Sequence, residues 1–108
     1  MIRRSALAAL LLLAACGKPV PPEKSAYVGD WGSSNVTLRI AQDGRVEYKR
    51  VSGNASTSVN APIQRFEGDN FVVGIPYLTT TFVVSRAPYQ QDGRWKMVVD
   101  GVELTRAR

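Results

Sequence analysis

One cysteine occurs in the chain, in Leu13-Ala14-Ala15-Cys16, where an apolar run ends. A thiol offers nucleophilic, redox or metal-ligating chemistry, with the thiolate as the reactive form. Without a second cysteine it forms no internal disulfide. Histidine is absent, which removes the commonest general base and the commonest transition-metal ligand. Nine carboxylates remain, and Asp43, Glu67, Asp69, Asp92 and Asp100 fall in or beside expected turns. Such side chains serve turn backbone by hydrogen bonding it locally. Carboxylate catalysis needs two of them converging in a cleft. The hydroxyls of Thr79-Thr80-Thr81 need a base to activate them, and their β-branched shape suits strand positions instead. Asp69-Asn70 and Asp92 lack the ligand spacing of a calcium loop. The chain therefore reads as non-enzymatic, without metal or cofactor.

The position of the cysteine is set by what precedes it. Residues 1–4, Met-Ile-Arg-Arg, are positive, and residues 5–15, SALAALLLLAA, are small and apolar. A membrane-spanning helix needs about 20 apolar residues, so this run is too short to cross. Positive, then apolar, then small is the order of a secretory signal. Pro19, Pro21 and Pro22 follow in GKPVPPEKSA, and prolines favour extended backbone over helix. The chain thus divides into a signal helix over 1–15, a Pro-rich tether over 16–26 and a domain over 27–108. At about 3 Å per residue the tether reaches roughly 30 Å.

Leu13-Ala14-Ala15-Cys16 resembles the lipobox of bacterial lipoproteins at every position. The resemblance implies that the Cys16 thiol is joined to diacylglycerol by a thioether, that a peptidase cuts before Cys16, and that the new amine is acylated. Cys16 is then the lipidation site and the mature N-terminus, and it anchors the protein to a membrane. Two or three acyl chains hold firmly where one does not. In that family an aspartate after the cysteine commonly retains the protein in the inner membrane. Gly17 and Lys18 stand here, so the resemblance implies the outer membrane, with the domain facing the periplasm.

After residue 26 the pattern is alternation, the mark of half-buried strands. Val36, Leu38 and Ile40 share one face, as do Val46 and Tyr48, and Phe71, Val73 and Ile75. A strand over 59–66 carries Pro62, which marks an edge or a bulge, and residues 52–56, SGNAS, read as a loop. Phe82 and Val84 align with Leu78 and Thr80, and Trp95 aligns with Met97 and Val99. Asp100-Gly101 is a tight hairpin signal, because both central residues of a type I′ turn need positive φ. Val102 and Leu104 then face inward. The fold class is all-β, an antiparallel meander of seven or eight short strands.

Tyr27-Val28-Gly29-Asp30-Trp31 opens the domain. Gly29-x-Trp31 on the first strand of a meander resembles the lipocalin-like (calycin) domains. That resemblance implies a small barrel or curved sheet with Trp31 plugging one end. It also implies that Arg106, in Leu104-Thr105-Arg106, packs across the Trp31 ring. Gly29, Trp31 and Arg106 are structural residues on this reading.

The formal net charge is +5, and two of the positive charges are Arg3 and Arg4 of the leader. No basic run is interleaved with aromatics, so nucleic acid is not an expected partner. Arg39, Arg45, Lys49 and Lys96 fall on expected solvent faces, where they suit an anionic glycan or an acidic envelope protein. The expected function is that of a lipid-anchored, non-catalytic interaction or structural module of the cell envelope. The alternative is a lipocalin-like carrier of a small apolar ligand, although so short a barrel has an interior barely wider than its own side chains.

Overall fold

In VTLRI the apolar side chains at Val36, Leu38 and Ile40 are buried and the polar ones between them are exposed. That alternation lets one sheet face a core and the other face water. The computed structural model, which describes residues 18–108, builds the whole domain on it. The expected signal helix and Cys16 lie outside the described residues. The strands are β1 (Gly29–Gly32), β2 (Val36–Ile40), β3 (Arg45–Ser52), β4 (Ala55–Glu67), β5 (Asn70–Ile75), β6 (Leu78–Phe82), β7 (Val84–Gln91), β8 (Arg94–Val99) and β9 (Val102–Arg106). They form one antiparallel meander in the order β6-β5-β4-β3-β2-β1-β9-β8-β7, curled into a half-barrel.

There are nine strands where the sequence suggests seven or eight. The difference lies at Val83, which alone separates β6 from β7. The two run on as a single bent strand, pairing first with β5 and then with β8. Counting that strand once restores the upper end of the expectation. The bend is held from both sides. Asp100 donates its N–H to Val83 O at 2.8 Å and accepts from Val83 N at 2.9 Å. Asn70 Oδ1 accepts from Val84 N at 2.8 Å. The Asp100 carboxylate thus does more than serve its own turn.

A second bend falls in β4. Its early residues pair with β3, its last ones with β5, and the register shifts between Ile63 and Arg65. Ile63 donates to Gly44 O at 2.8 Å, so the neighbouring Pro62 nitrogen points the other way, where no strand pairs yet. A proline is tolerated at such a position because no ladder bond is lost. β4 also starts earlier than expected. SGNAS has loop composition, but Ala55, Ser56 and Thr57 pair with Ser52, Val51 and Arg50, so backbone pairing overrides the local preference.

The tether requires a correction. From Lys18 on, this segment is packed on the domain. Val20 is only 4% exposed, donates to Gln42 O at 2.9 Å and accepts from Gln42 Nε2 at 3.2 Å. Pro22–Tyr27 forms a 3-10 helix, not extended backbone. Proline fits the first turn of a helix, where its missing N–H would be unused. Val20 and Tyr27 supply the apolar anchors that draw the segment down.

The core joins Leu38, Ile40, Val46, Met97 and Leu104 to an aromatic chain. Phe71 stacks on Phe82 at 5.0 Å, Tyr48 meets Phe82 edge-on at 4.9 Å, and Tyr27 meets Phe66 edge-on at 5.3 Å. Such pairs add about 1 kcal/mol each beyond burial.

Two stability outcomes follow. Val20→Ala should cost roughly 1–2 kcal/mol in a urea titration; no change would mean that the segment is not docked. At the β8–β9 turn Asp100 has φ 48° and Gly101 φ 79°. Gly101→Val should therefore cost more than about 1 kcal/mol, while exposed Lys49→Ala should stay within about 0.5 kcal/mol. Equal midpoints for these two variants would contradict the tight turn.

Candidate functional site

Arg106 is drawn to Trp31 by register. β1 pairs with β9 so that Trp31 lies directly opposite Arg106. The guanidinium carbon sits 5.7 Å from the Trp31 ring and 5.1 Å from the Trp95 ring. Nη1 donates to the carbonyls of Ala26 and Val28, each at 3.4 Å. Gly29 lets the stem pass, since a Cβ there would lie 2.6 Å from Arg106 Cδ. Trp31 is 3% exposed, and its Nε1 donates to Tyr27 O at 2.9 Å. Gly29, Trp31 and Arg106 thus form one packed cluster at the junction of the first and last strands.

The outward faces carry matched charges. Asp30, Arg39, Glu47 and Asn60 lie in one cross-strand row, and Arg39 pairs with Asp30 at 2.9 Å. On β7–β9, Tyr89 Oη donates to Glu103 at 2.8 Å, and Lys96 lies 3.5 Å from the same carboxylate. The Tyr89 hydrogen bond, with Lys96 beyond it, lowers the Glu103 pKa below the carboxylate range. Of the four basic residues singled out from the sequence, Arg39 and Lys96 are thus paired. Arg45 and Lys49 flank Glu47 on β3, so the face alternates in sign. Among the described residues no three of His, Cys, Asp and Glu gather as a metal site would require.

The two ends of the half-barrel differ sharply. One holds the 3-10 helix and the turns at Gly44, Gly68 and Gly93, with Lys18, Lys24, Asp43, Asp69, Asp92 and Arg94 around them. Lys24 bridges there to Gly68 O at 2.8 Å and to Asp69 at 3.8 Å. At the other end are the turns Ser33-Ser34-Asn35, Ser52-Gly53-Asn54, Pro76-Tyr77 and Asp100-Gly101, where Asp100 is the one charged residue. Ile75 is 56% exposed there, Tyr77 97% and Leu78 74%. Ile75 and Leu78 continue the inward rows of β5 and β6, yet nothing covers them. Beside them β4 and β5 splay apart into an open cleft of about 320 Å³, lined by Val59, Ala61, Val73, Ile75, Leu78 and Thr80.

This charge-poor apolar end is the candidate site. The sequence reading assigned Ile75 and Leu78 to strand faces and missed their exposure. The available signal was charge: residues 51–64 and 70–85 contain no Asp, Glu, Lys or Arg, and the fold sets these two runs side by side. Comparison of the chain with protein-family models, curated proteins and solved structures gives no match.

At the charged end Tyr27 provides a pH readout. Its buried hydroxyl donates to Asp69 O at 2.9 Å. Burial, then the Asp69 charge, raises its pKa from 10.0 to about 12. Above pH 10 the unfolded chain releases this proton and the folded one holds it. The resulting stability is complete below about pH 10 and is lost as pH rises toward 12. Tyr27→Phe should cost about 1 kcal/mol at neutral pH and flatten the alkaline decline in urea titrations. An equal decline in both proteins would contradict the assignment.

Proposed function

We propose that the chain is a lipid-anchored envelope protein, a non-catalytic interaction or structural module on the periplasmic face of the outer membrane. The observation that carries this reading is the separation of charge from exposed apolar surface along the half-barrel. Lys18–Tyr27 pack on the charged end, and Cys16 precedes Lys18 by only two residues. Chain at most about 3.6 Å long per residue keeps a lipid on Cys16 close to that end. The apolar end, with Ile75, Tyr77 and Leu78, then points away from the lipid and toward a partner. Exposed apolar groups at the end of an otherwise well-buried domain are a feature of interaction sites.

The carrier reading has less support. The space a ligand would need is filled by Phe71, Phe82, Met97 and Leu104, each at most 1% exposed. The anionic-partner reading also weakens, because Arg39 and Lys96 already have carboxylate partners. A partner with neutral, extended or apolar chemistry fits the exposed end better.

Labelling cells with a palmitate analogue tests the anchor. The wild-type chain should take up label and fractionate with membranes, while Cys16→Ser should lose the label and persist as the longer precursor. A native mass that retains residues 1–15 and carries no acyl group would overturn the reading.

A further inference from the structure

We propose that the cleft between β4 and β5 takes a single extended segment of a partner protein, uncharged and apolar at alternate positions, which adds a strand to β4. The inference rests on reading the apolar end as the interaction end, and it names the partner's chemistry.

Hydrogen bonding defines the edge. Ile63 N–H reaches Gly44 O, so it points to β3. Successive residues of a strand direct their backbone groups to alternate edges. Ser56, Ser58 and Asn60 therefore direct N–H and C=O away from β3, toward β5. Yet β5 joins β4 only from Ile63 onward. Among the described residues no strand pairs with that edge, and all three residues are exposed. Each offers one donor and one acceptor to whatever enters the cleft.

The walls of the cleft set what that occupant carries. Residues opposite one another on paired strands share a face of the sheet. A segment on this edge places one residue opposite Ser58, with its side chain outward beside those of Ser58 and Asn60. Its next side chain turns inward, to Val59, Ala61, Val73, Leu78 and Thr80. That inward residue directs its backbone away from β4, toward Gly74, whose carbonyl already accepts from Gln64 Nε2. Polar and apolar side chains thus alternate, and the polar positions make the backbone bonds to β4.

Other occupants fit less well. An apolar small molecule or an acyl chain suits a cleft of about 320 Å³, but it covers the β4 backbone without bonding it. A polar group left dry and unpaired is costly. A charged segment meets no countercharge, because residues 51–64 and 70–85 contain no Asp, Glu, Lys or Arg. An edge strand of a second folded copy brings its neighbouring strand along, and Gly74 and Ile75 already stand there as the other wall. The cleft is matched to one strand without neighbours, such as a terminus or a linker. Recognition of this kind takes affinity from main-chain bonds and selectivity from alternate side chains.

The test uses the full chain, in lipid nanodiscs where it carries acyl groups and in buffer where it does not, so the anchor is not presupposed. The probe is a fluorescent, end-capped heptapeptide in which threonine alternates with valine. Its anisotropy should rise to saturation. N-methylation of the threonines removes the N–H groups that face β4 and should weaken binding at least about tenfold. N-methylation of the valines, which face Gly74, should leave affinity within about threefold. Ser58→Pro removes one N–H from an edge where proline is tolerated, and Pro62 already borders that edge. It should weaken binding like threonine methylation, with an unchanged far-UV spectrum; if it unfolds, the two methylated peptides still decide on the unsubstituted chain. Val83 N–H turns to Asp100, so Thr79 points to the same free side of β6, and Thr79→Pro should leave binding intact. Equal loss from either methylation, no saturation at millimolar peptide, or a dimer of the chain that the peptide dissociates would each overturn the proposal. Loss with Thr79→Pro alone would move the strand to β6 and overturn this site, yet keep the apolar end as the interaction end. Binding indifferent to both prolines would overturn both readings.

Discussion

The rest of the fold depends on the pairing of the first strand with the last. β1 has only four residues, yet β2 and β9 flank it on both sides. Closing the chain on itself costs loop entropy that rises only slowly with length. The gain is that both terminal strands cease to be edges. Arg106 fixes this junction. Its guanidinium reaches two indole rings and two carbonyls, so a half-buried charge is met on its faces and its rim. Each cation–π contact adds about 1 kcal/mol, and an unmet charge there would cost more than that. Only a residue without a Cβ lets the stem pass at position 29, which ties Gly29, Trp31 and Arg106 into a single requirement.

Most of the fold is legible in the sequence because it obeys one rule, alternation. β2, β3, β8 and β9 follow it, and the inward residues read from the pattern at Val36, Leu38, Val46, Met97 and Leu104 are buried, whereas β5 is buried on both faces from Phe71 to Gly74. The failures occur where backbone pairing outweighs composition. Ala55 and Ser56, in the SGNAS stretch of loop composition, complete the β3–β4 ladder. β7 continues past Arg86 through Pro88, with register shifts between Val84 and Arg86 and between Arg86 and Tyr89. The Pro-rich segment reads as extended because no local rule reveals that Val20 has a socket at Gln42. Tertiary contacts alone decide these cases.

The candidate site was less legible. Alternation identifies Ile75 and Leu78 as inward-facing and so suggests burial. Burial depends on what stands opposite, and the bend in β4 after Pro62 carries that strand away from β5. Gly74 marks the departure: its φ is 139°, and a Cβ there would collide with the Leu78 carbonyl. The hairpin can thus turn tightly through Pro76 and Tyr77 while its inward row runs on past the end of the core. Exposure is a consequence of two bends far apart in sequence, and a single-strand pattern does not contain it.

The two halves of the bent strand make an internal comparison. β7 is an edge, and it is defended: Pro88 lacks a donor, two register shifts break its ladder, and Arg86 lies over the Tyr89 ring at 3.7 Å. Such features discourage pairing with another chain. β6 continues the same strand and has none of them. Its residues are uncharged, β-branched or apolar, regular in register and exposed from Leu78 to Thr81. The two free edges lie on opposite sides of the bent strand, because β6 pairs with β5 and β7 with β8. An uncharged edge without a bulge or proline is the part of a sheet most open to pairing with another strand, and in this fold it adjoins the exposed side chains of Ile75, Tyr77 and Leu78.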